Sequence, residues 1–182
     1  MLKRLLAGFS VYHLIIIALM AGLGVATKPI IVPLAHMITG PLYIPGGVIA
    51  GGFYMMWLIL GAGLVKKRGT ATLISTVQAI MMVSLGIYGT HGLVSFFTYI
   101  IPGLVVDTLL LFFKDPAKLA PCFLGGIVAN LSGTFLVNIV FFRLPLIPLI
   151  LALSSSSLSG GLGGIIAFNI IKQFSKFDLL ET

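Results

Sequence analysis

Apolar residues occur along this chain in six long runs, separated by short polar or glycine-rich stretches. Each run is about as long as the roughly 20 residues that a helix needs to cross the hydrocarbon core of a bilayer. The runs lack the apolar–polar alternation of barrel strands. The pattern predicts an all-α integral membrane protein with a single domain, folded as a six-helix transmembrane bundle. We place the runs at residues 5–27, 43–65, 70–90, 93–113, 119–142 and 144–171.

The composition supports a membrane location. The chain of 182 residues is 59% hydrophobic and 8% charged, whereas a soluble domain carries about a quarter charged residues. It could not cover a water-facing surface with polar groups. The net charge of +7 therefore indicates orientation in the membrane and contact with anionic lipid, and not binding to nucleic acid.

Positive charge is concentrated on one side of the predicted bundle. Nine of the eleven Lys and Arg residues fall at the termini and in two loops that share a side, and only Lys28 and Arg143 fall on the other. Because positive charge resists translocation, both termini are predicted to be cytoplasmic. We expect the two outer cations to meet lipid headgroups, or an anionic group on a ligand. The nine are Lys3, Arg4, Lys66, Lys67, Arg68, Lys114, Lys118, Lys172 and Lys176.

The first run is open to two interpretations. A basic start, an apolar run and small residues near its end are also features of a signal peptide. The run is long for that role, however, and Ala18, Gly22 and Ala26 recur every four residues on one helix face. Such a stripe allows another helix to approach closely. The partner is either a helix of the same chain or a separate subunit.

Residues 28–42 are apolar but interrupted by Pro29, Pro33, Gly40 and Pro41. These residues predict an irregular segment, because proline removes a helical hydrogen bond. Irregular backbone at membrane depth must be covered by protein or line a cavity. We expect the segment to act as an outer lid.

Aromatic, amide and hydroxyl side chains in the middle and outer parts of the predicted helices suggest a ligand site. Such a mixture suits a flat, largely uncharged heterocycle held by stacking and a few hydrogen bonds. Each aromatic residue also has an ordinary role in the core or at the membrane interface. The candidate substrate-binding residues are Tyr54, Trp57, Gln78, Tyr88, His91, Tyr99 and Asn138.

Asp107 and Asn130 are strongly polar residues within the predicted spans. An Asp at the centre of a membrane helix costs about 2.5–3.5 kcal/mol, so we expect it to face the bundle. It would serve either as a structural clasp between helices or in ligand or proton coupling. The sequence contains no catalytic motif, and its three His residues are far apart. We therefore predict no enzymatic activity, no cofactor and no metal site.

Several segments carry a resemblance to a known family. They are the run ALMAGLGVA from Ala18, GPLYIPGG from Gly40, GAGLVKKRG from Gly61 and PGLVVD from Pro102. With six helices in about 180 residues, the chain resembles the substrate-binding S-components of energy-coupling factor transporters. These are ATP-driven vitamin importers of prokaryotic plasma membranes. The stretch from the second to the fourth apolar run, residues 43–113, looks closest to the branch for thiamine and its hydroxymethylpyrimidine precursor.

The resemblance implies a function and a set of partners. Ala18, Gly22 and Ala26 would dock onto a transmembrane T-component that is energised by two ATPase subunits, and residues 28–42 would close over a vitamin-like molecule. Members that transport cobalt or nickel carry an N-terminal Met-His motif. This chain begins Met1-Leu2-Lys3, so we expect an organic cargo.

Two other functions stay open at this point. The chain could be a membrane subunit of a redox-driven ion pump or of another multisubunit complex, in which case Asp107 would be central. An intramembrane enzyme is a third hypothesis, against which the lack of a paired acid and base argues.

Overall fold

The structure, a computed structural model, describes residues 8–42, 44–86 and 94–176. These residues form six α-helices, a short 3-10 turn at Gly40–Leu42 and a π-helical turn at Asn138–Phe142. No strand occurs in these ranges, in agreement with the predicted all-helical class. The helices are α1 (Val11–Thr39), α2 (Gly46–Val65), α3 (Thr70–Ser84), α4 (Val94–Leu110), α5 (Leu119–Val137) and α6 (Leu146–Lys176).

Four helical segments are long and apolar enough to cross a membrane: Val11–Thr39, Gly46–Val65, Leu119–Phe142 and Leu146–Lys176. Helix α3 and the Phe96–Leu110 part of α4 are apolar but shorter. The protein is thus a multi-pass membrane protein, while six crossings and two cytoplasmic termini stay predictions.

Helix α2 forms the centre of the bundle. It contacts α1, α3, α5 and α6, and α4 completes the structure by packing between α3 and α5. Leu58 of α2 and Ile74 of α3 are almost fully buried in the main core. The outer faces of α1 and α6 expose many large apolar side chains, as expected for surfaces that meet lipid.

Glycines set the closest approaches between helices. A methyl group on Gly126 of α5 would overlap the carbonyl oxygen of Gly160 on α6, and one on Gly164 would overlap that of Cys122. Gly52 of α2 lies equally close to Ser159 of α6. In a bilayer, where helices associate largely by close packing, these contacts hold α2, α5 and α6 together.

The prediction that residues 28–42 are irregular is wrong over most of the segment. Residues 28–39 continue α1, which is 29 residues long and contains both Pro29 and Pro33. Each proline removes one backbone hydrogen bond, but unwinding the segment would free many more in an apolar environment. Membrane helices tolerate proline for this reason. The tight turn Gly40–Leu42 follows, and Thr39 Oγ1 donates to the carbonyl of Ile44 at 2.8 Å.

Candidate ligand-binding cavity

A cavity of about 730 Å³ opens at one end of the bundle. All six helices contribute to its wall. The second half of α1, the start of α2 and of α6 and the end of α5 take part, together with residues of α3 and α4. Its wall consists of Val25, Lys28, Pro29, Val32, Pro33, His36, Gly40, Ile44, Pro45, Gly46, Gly47, Val48, Tyr54, Met82, Thr98, Tyr99, Gly133, Thr134, Val137, Asn138, Phe142, Leu144 and Ala152.

A lysine and two tyrosines form the most polar part of this wall. Lys28 Nζ donates to Tyr99 Oη at 2.5 Å. The same ammonium lies 4.2 Å from the centroid of the Tyr99 ring and 5.3 Å from that of Tyr54. Tyr54 Oη donates to the carbonyl of Gly47 at 3.1 Å, which fixes its ring against the first turns of α2. The three side chains thus join α1, α2 and α4 at the cavity.

Asn138 holds the opposite part of the wall, where α5 ends. Its Oδ1 accepts a hydrogen bond from the backbone N–H of Leu144 at 2.9 Å, and its carbonyl oxygen accepts one from Arg143 at 2.8 Å. Arg143 adopts a left-handed conformation (φ 45°), so the chain reverses there into α6. The amide side chain therefore shapes the turn as well as lining the cavity.

The structure brings three of the seven predicted substrate-binding residues to this cavity: Tyr54, Tyr99 and Asn138. Trp57 and Gln78 lie outside its wall. Trp57 Nε1 donates to Thr27 Oγ1 at 3.1 Å. Gln78 is buried against Gly24 of α1, and its Nε2 has no hydrogen-bond partner among the described residues. Tyr88 and His91 lie outside the described residues.

Sequence reasoning missed the contribution of α1 to the cavity. Lys28 was expected to meet either lipid headgroups or an anionic group on a ligand, and it lies in the cavity wall with Val32 and His36. These three residues follow one another every four positions, and this spacing places them on one helix face. The signal was present in the sequence, but recognising it required a helix that continues through Pro29 and Pro33.

The opposite end of the bundle contains Asp107. Its Oδ2 accepts hydrogen bonds from the backbone N–H of Thr72 at 2.7 Å and from Thr72 Oγ1 at 2.5 Å, and its Oδ1 accepts one from the N–H of Ala71 at 3.3 Å. These amides belong to the first turn of α3, whose dipole favours a negative charge. Asp107 thus connects α4 to the N-terminus of α3. A groove of about 240 Å³ lies beside it, lined by Lys66, Lys67, Arg68, Asp107, Leu110, Leu111, Phe112, Phe113, Lys114 and Pro116.

Asn130 connects three helices in the interior. The residue is fully buried on α5, and its Nδ2 donates to the carbonyls of Val48 on α2 and Ser156 on α6, each at 2.9 Å. It lies away from the cavity wall. Its geometry is that of a structural bridge between helices.

The small-residue stripe of α1 faces outward. Ala18 and Ala26 are exposed, and a methyl group on Gly22 would meet no atom within 4 Å. The opposite face of α1 carries the buried residues Ile17 and Ala21. No helix of the described chain covers the stripe, so these small residues form a shallow, smooth strip on the surface of the bundle.

A metal ion has few ligands available here. The described residues contain no group of three or more His, Cys, Asp or Glu that could hold one. Among the described residues of the cavity wall, His36 is the only one of these four types. The wall instead offers aromatic faces, hydroxyl groups and one ammonium group, which suit an organic molecule.

Comparison with known proteins places the chain in a transporter family. A family model described as "ABC-type cobalt transport system, permease component" matches residues 6–132, more than two thirds of the sequence. No curated protein matches the chain, and no solved structure matches it. With the apolar helices and the end-on cavity, the match identifies a membrane component of an ABC-type importer. The chain belongs to the family of ABC-type cobalt transport system permease components.

Proposed function

We propose that the protein is the substrate-binding subunit of an energy-coupling factor importer for a vitamin or vitamin precursor, with thiamine and hydroxymethylpyrimidine as the first candidates. The single observation that carries the proposal is the cavity of about 730 Å³ that all six helices surround. Cavities of about 300–1,000 Å³ accommodate small organic ligands. The protein would capture its ligand and perform no covalent chemistry.

The character of the wall supports a heteroaromatic ligand. Tyr54 and Tyr99 offer ring faces, and the hydroxyl of Thr134 and the amide of Asn138 lie on the α5 side. Most of the remaining wall is apolar. Stacking and offset aromatic contacts contribute about 0.5–1.5 kcal/mol beyond burial, while a few polar groups set orientation.

The family description names cobalt, yet the cavity favours an organic cargo. Cobalt(II) prefers imidazole, carboxylate or thiolate ligands in a defined geometry, and His36 alone supplies such a group in the wall. An ammonium group in the same space opposes a divalent cation. Cobalt is therefore the less favoured substrate, although the N-terminal residues 1–7 lie outside the described ranges.

The cavity position agrees with uptake from outside the cell. It lies at the end of the bundle opposite to Lys66, Lys67, Arg68 and Lys114. If the basic end is cytoplasmic, as the distribution of positive charge predicts, the cavity faces outward. The second half of α1, which borders the cavity from Val25 to His36, would take the place of the expected lid.

The exposed stripe on α1 supports docking to a transmembrane T-component, with two ATPase subunits that supply the energy. Ala18, Gly22 and Ala26 leave the backbone of α1 accessible to a partner helix. Close approach of backbones is the usual means of helix association in a bilayer.

Native mass spectrometry tests the ligand. The protein is purified in mild detergent from its own host, and bound molecules are identified by their mass after release. We expect one vitamin-like heterocycle per chain. Recovery of Co²⁺ in place of an organic molecule, retained through dialysis and removed by a chelator, would refute the organic-cargo proposal.

A substitution on α1 tests the docking surface. Gly22→Leu should abolish ATP-driven uptake with the complete transporter and leave ligand affinity unchanged, because the new side chain projects from the outer face. Gly22→Ala serves as the matched control and should retain most uptake. Undiminished transport by Gly22→Leu would show that the partner binds elsewhere.

A further inference from the structure

We infer that Lys28 is the charge-selecting residue of the cavity: it favours ligands that present a hydrogen-bond acceptor and opposes ligands that carry a positive charge. The inference rests on the proposed function only in taking the cavity as a ligand site. Of the two first candidates it favours hydroxymethylpyrimidine over thiamine, because thiamine carries a fixed positive charge.

The surroundings of Lys28 place its charge inside the cavity. Its ammonium group is held by Tyr99 Oη at 2.5 Å and lies near the faces of the Tyr99 and Tyr54 rings. Both tyrosines line the cavity as well. An ammonium group has three N–H donors, and only one of them is used by Tyr99 Oη, so the group retains donors for a ligand.

The acidic residues that the structure describes are not available to neutralise this charge. The sequence has four acids, of which Asp107 and Asp115 are described, and neither is in the cavity wall. Asp107 binds the N-terminus of α3 beside the opposite groove. Asp115 follows α4 at that same end and accepts from the N–H of Ala117 at 3.0 Å.

The other two acids, Asp178 and Glu181, lie outside the described residues. Among the described residues, Lys28 therefore faces the cavity without a carboxylate partner.

An uncompensated ammonium group discriminates by charge. A cationic ligand group about 5 Å away would be repelled, and the repulsion is strong where water is partly excluded. A ring nitrogen, carboxylate or phosphate oxygen would instead accept a charge-assisted hydrogen bond, which is among the stronger kinds. All of these groups accept the same kind of hydrogen bond from Lys28. Comparing the affinities of neutral and anionic ligands shows which of the two the cavity prefers.

The test uses two sets of probes, each with a neutral, an anionic and a cationic member. The first comprises hydroxymethylpyrimidine, its phosphate ester and thiamine, which carries a fixed positive charge. The second comprises benzyl alcohol, benzoate and benzyltrimethylammonium at millimolar concentration, which test charge selection whatever the vitamin. Affinities are measured by calorimetry or by saturation-transfer NMR on the detergent-solubilised full chain.

Lys28→Met removes the charge at nearly constant volume. We expect it to raise the affinity for the cationic probe relative to the neutral probe by at least about tenfold, and to weaken the anionic probe. Lys28→Arg should keep the discrimination of the natural protein. Lys172→Met, the same change at an exposed position at the far end of α6, should alter no ratio.

The outcomes separate the two proposals. An unchanged ratio in Lys28→Met, or no binding of any probe in either set, overturns the inference. If the benzyl probes show the expected change while no pyrimidine binds, charge selection by Lys28 holds and the assignment of a thiamine-related cargo is wrong.

Discussion

The charged side chains at the two ends of the bundle differ in how they are paired. At the cavity end, Lys28 is a cation that has no carboxylate partner among the described residues, in a wide space with mostly apolar walls. At the other end, Asp107 is surrounded by four cations and by the amides of α3 in a groove about one third as large. The first arrangement leaves hydrogen-bond donors of Lys28 unused, whereas the second satisfies the partly buried carboxylate of Asp107. The comparison supports the proposal that the cavity end receives a ligand, whereas the contacts of Asp107 hold α3 and α4 together at the basic end.

One helix takes part in both ends. Helix α4 carries Tyr99 at the cavity and Asp107 at the groove, eight residues apart and hence about 12 Å along the axis. Between them, Gly103 packs against Ser75 of α3, where a methyl group would overlap the Ser75 hydroxyl. Helix α4 therefore fixes the distance between a ligand-facing tyrosine and a structural acid.

The largest effect is expected where α1 meets α2 at the cavity. Gly46→Ala would place a methyl carbon 2.6 Å from the carbonyl oxygen of Val32 and from the backbone nitrogen of His36. The contact must push α1 away, at a cost of about 1–3 kcal/mol in stability. We expect the midpoint of thermal unfolding to fall by roughly 2–12 °C and ligand affinity to fall at least about tenfold, measured by calorimetry.

Gly47→Ala is the matched control for that change. Its methyl group would lie 3.8 Å from the nearest atom, Tyr54 Oη, which is an ordinary contact. Thermal stability should therefore match that of the natural protein. Equal stability of the two variants would show that the second half of α1 does not pack as described and would remove one wall of the cavity.

An intermediate effect is expected at the basic end. Asp107→Asn keeps an acceptor but loses the negative charge at the α3 N-terminus, so stability should fall by about 1–2 kcal/mol with ligand affinity unchanged. Asp115→Asn makes the same change of charge at a local turn contact and should cost less. Unfolding in denaturant and ligand calorimetry provide the two measurements.

The Asp107 variant also tests whether the two ends of the bundle have different functions. If Asp107→Asn abolished ligand binding and left stability unchanged, the acid would belong to the transport chemistry, as the ion-pump hypothesis requires. The comparison of a receptive end with a structural end would then be reversed.

The sequence predicts the elements of this fold better than it predicts the site. Apolar runs mark six helices because lipid requires continuous backbone hydrogen bonding. Simple helical spacing also places Ala18, Gly22 and Ala26 on one face, although it does not predict that this face points outward. The cavity does not, because it depends on α1 continuing through Pro29 and Pro33, which local propensity opposes.

Individual side chains show where sequence reasoning stops. Tyr54 and Trp57 are three residues apart on α2 and looked equivalent, yet only Tyr54 reaches the cavity. Small differences in the direction in which a side chain projects from its helix decide whether it faces the cavity, a neighbouring helix or lipid. These directions depend on close contacts such as that of Gly46 with α1. Hydrophobic pattern alone does not determine them.

The smallest effect is expected at Gln78, a buried amide that lies beside the cavity without lining it. Its Nε2 has no partner among the described residues, and a buried donor without a partner costs about 1–3 kcal/mol. Gln78→Met keeps the volume and removes that donor, so stability should stay equal or rise by up to about 1 kcal/mol. Ligand affinity should change by less than about twofold, whereas Asn138→Ala, which alters the cavity wall, should weaken binding clearly. A large loss of affinity in Gln78→Met would mean that the ligand extends past Tyr54 toward the middle of the bundle, and the boundary drawn between the receptive end and the packed core would have to move inward.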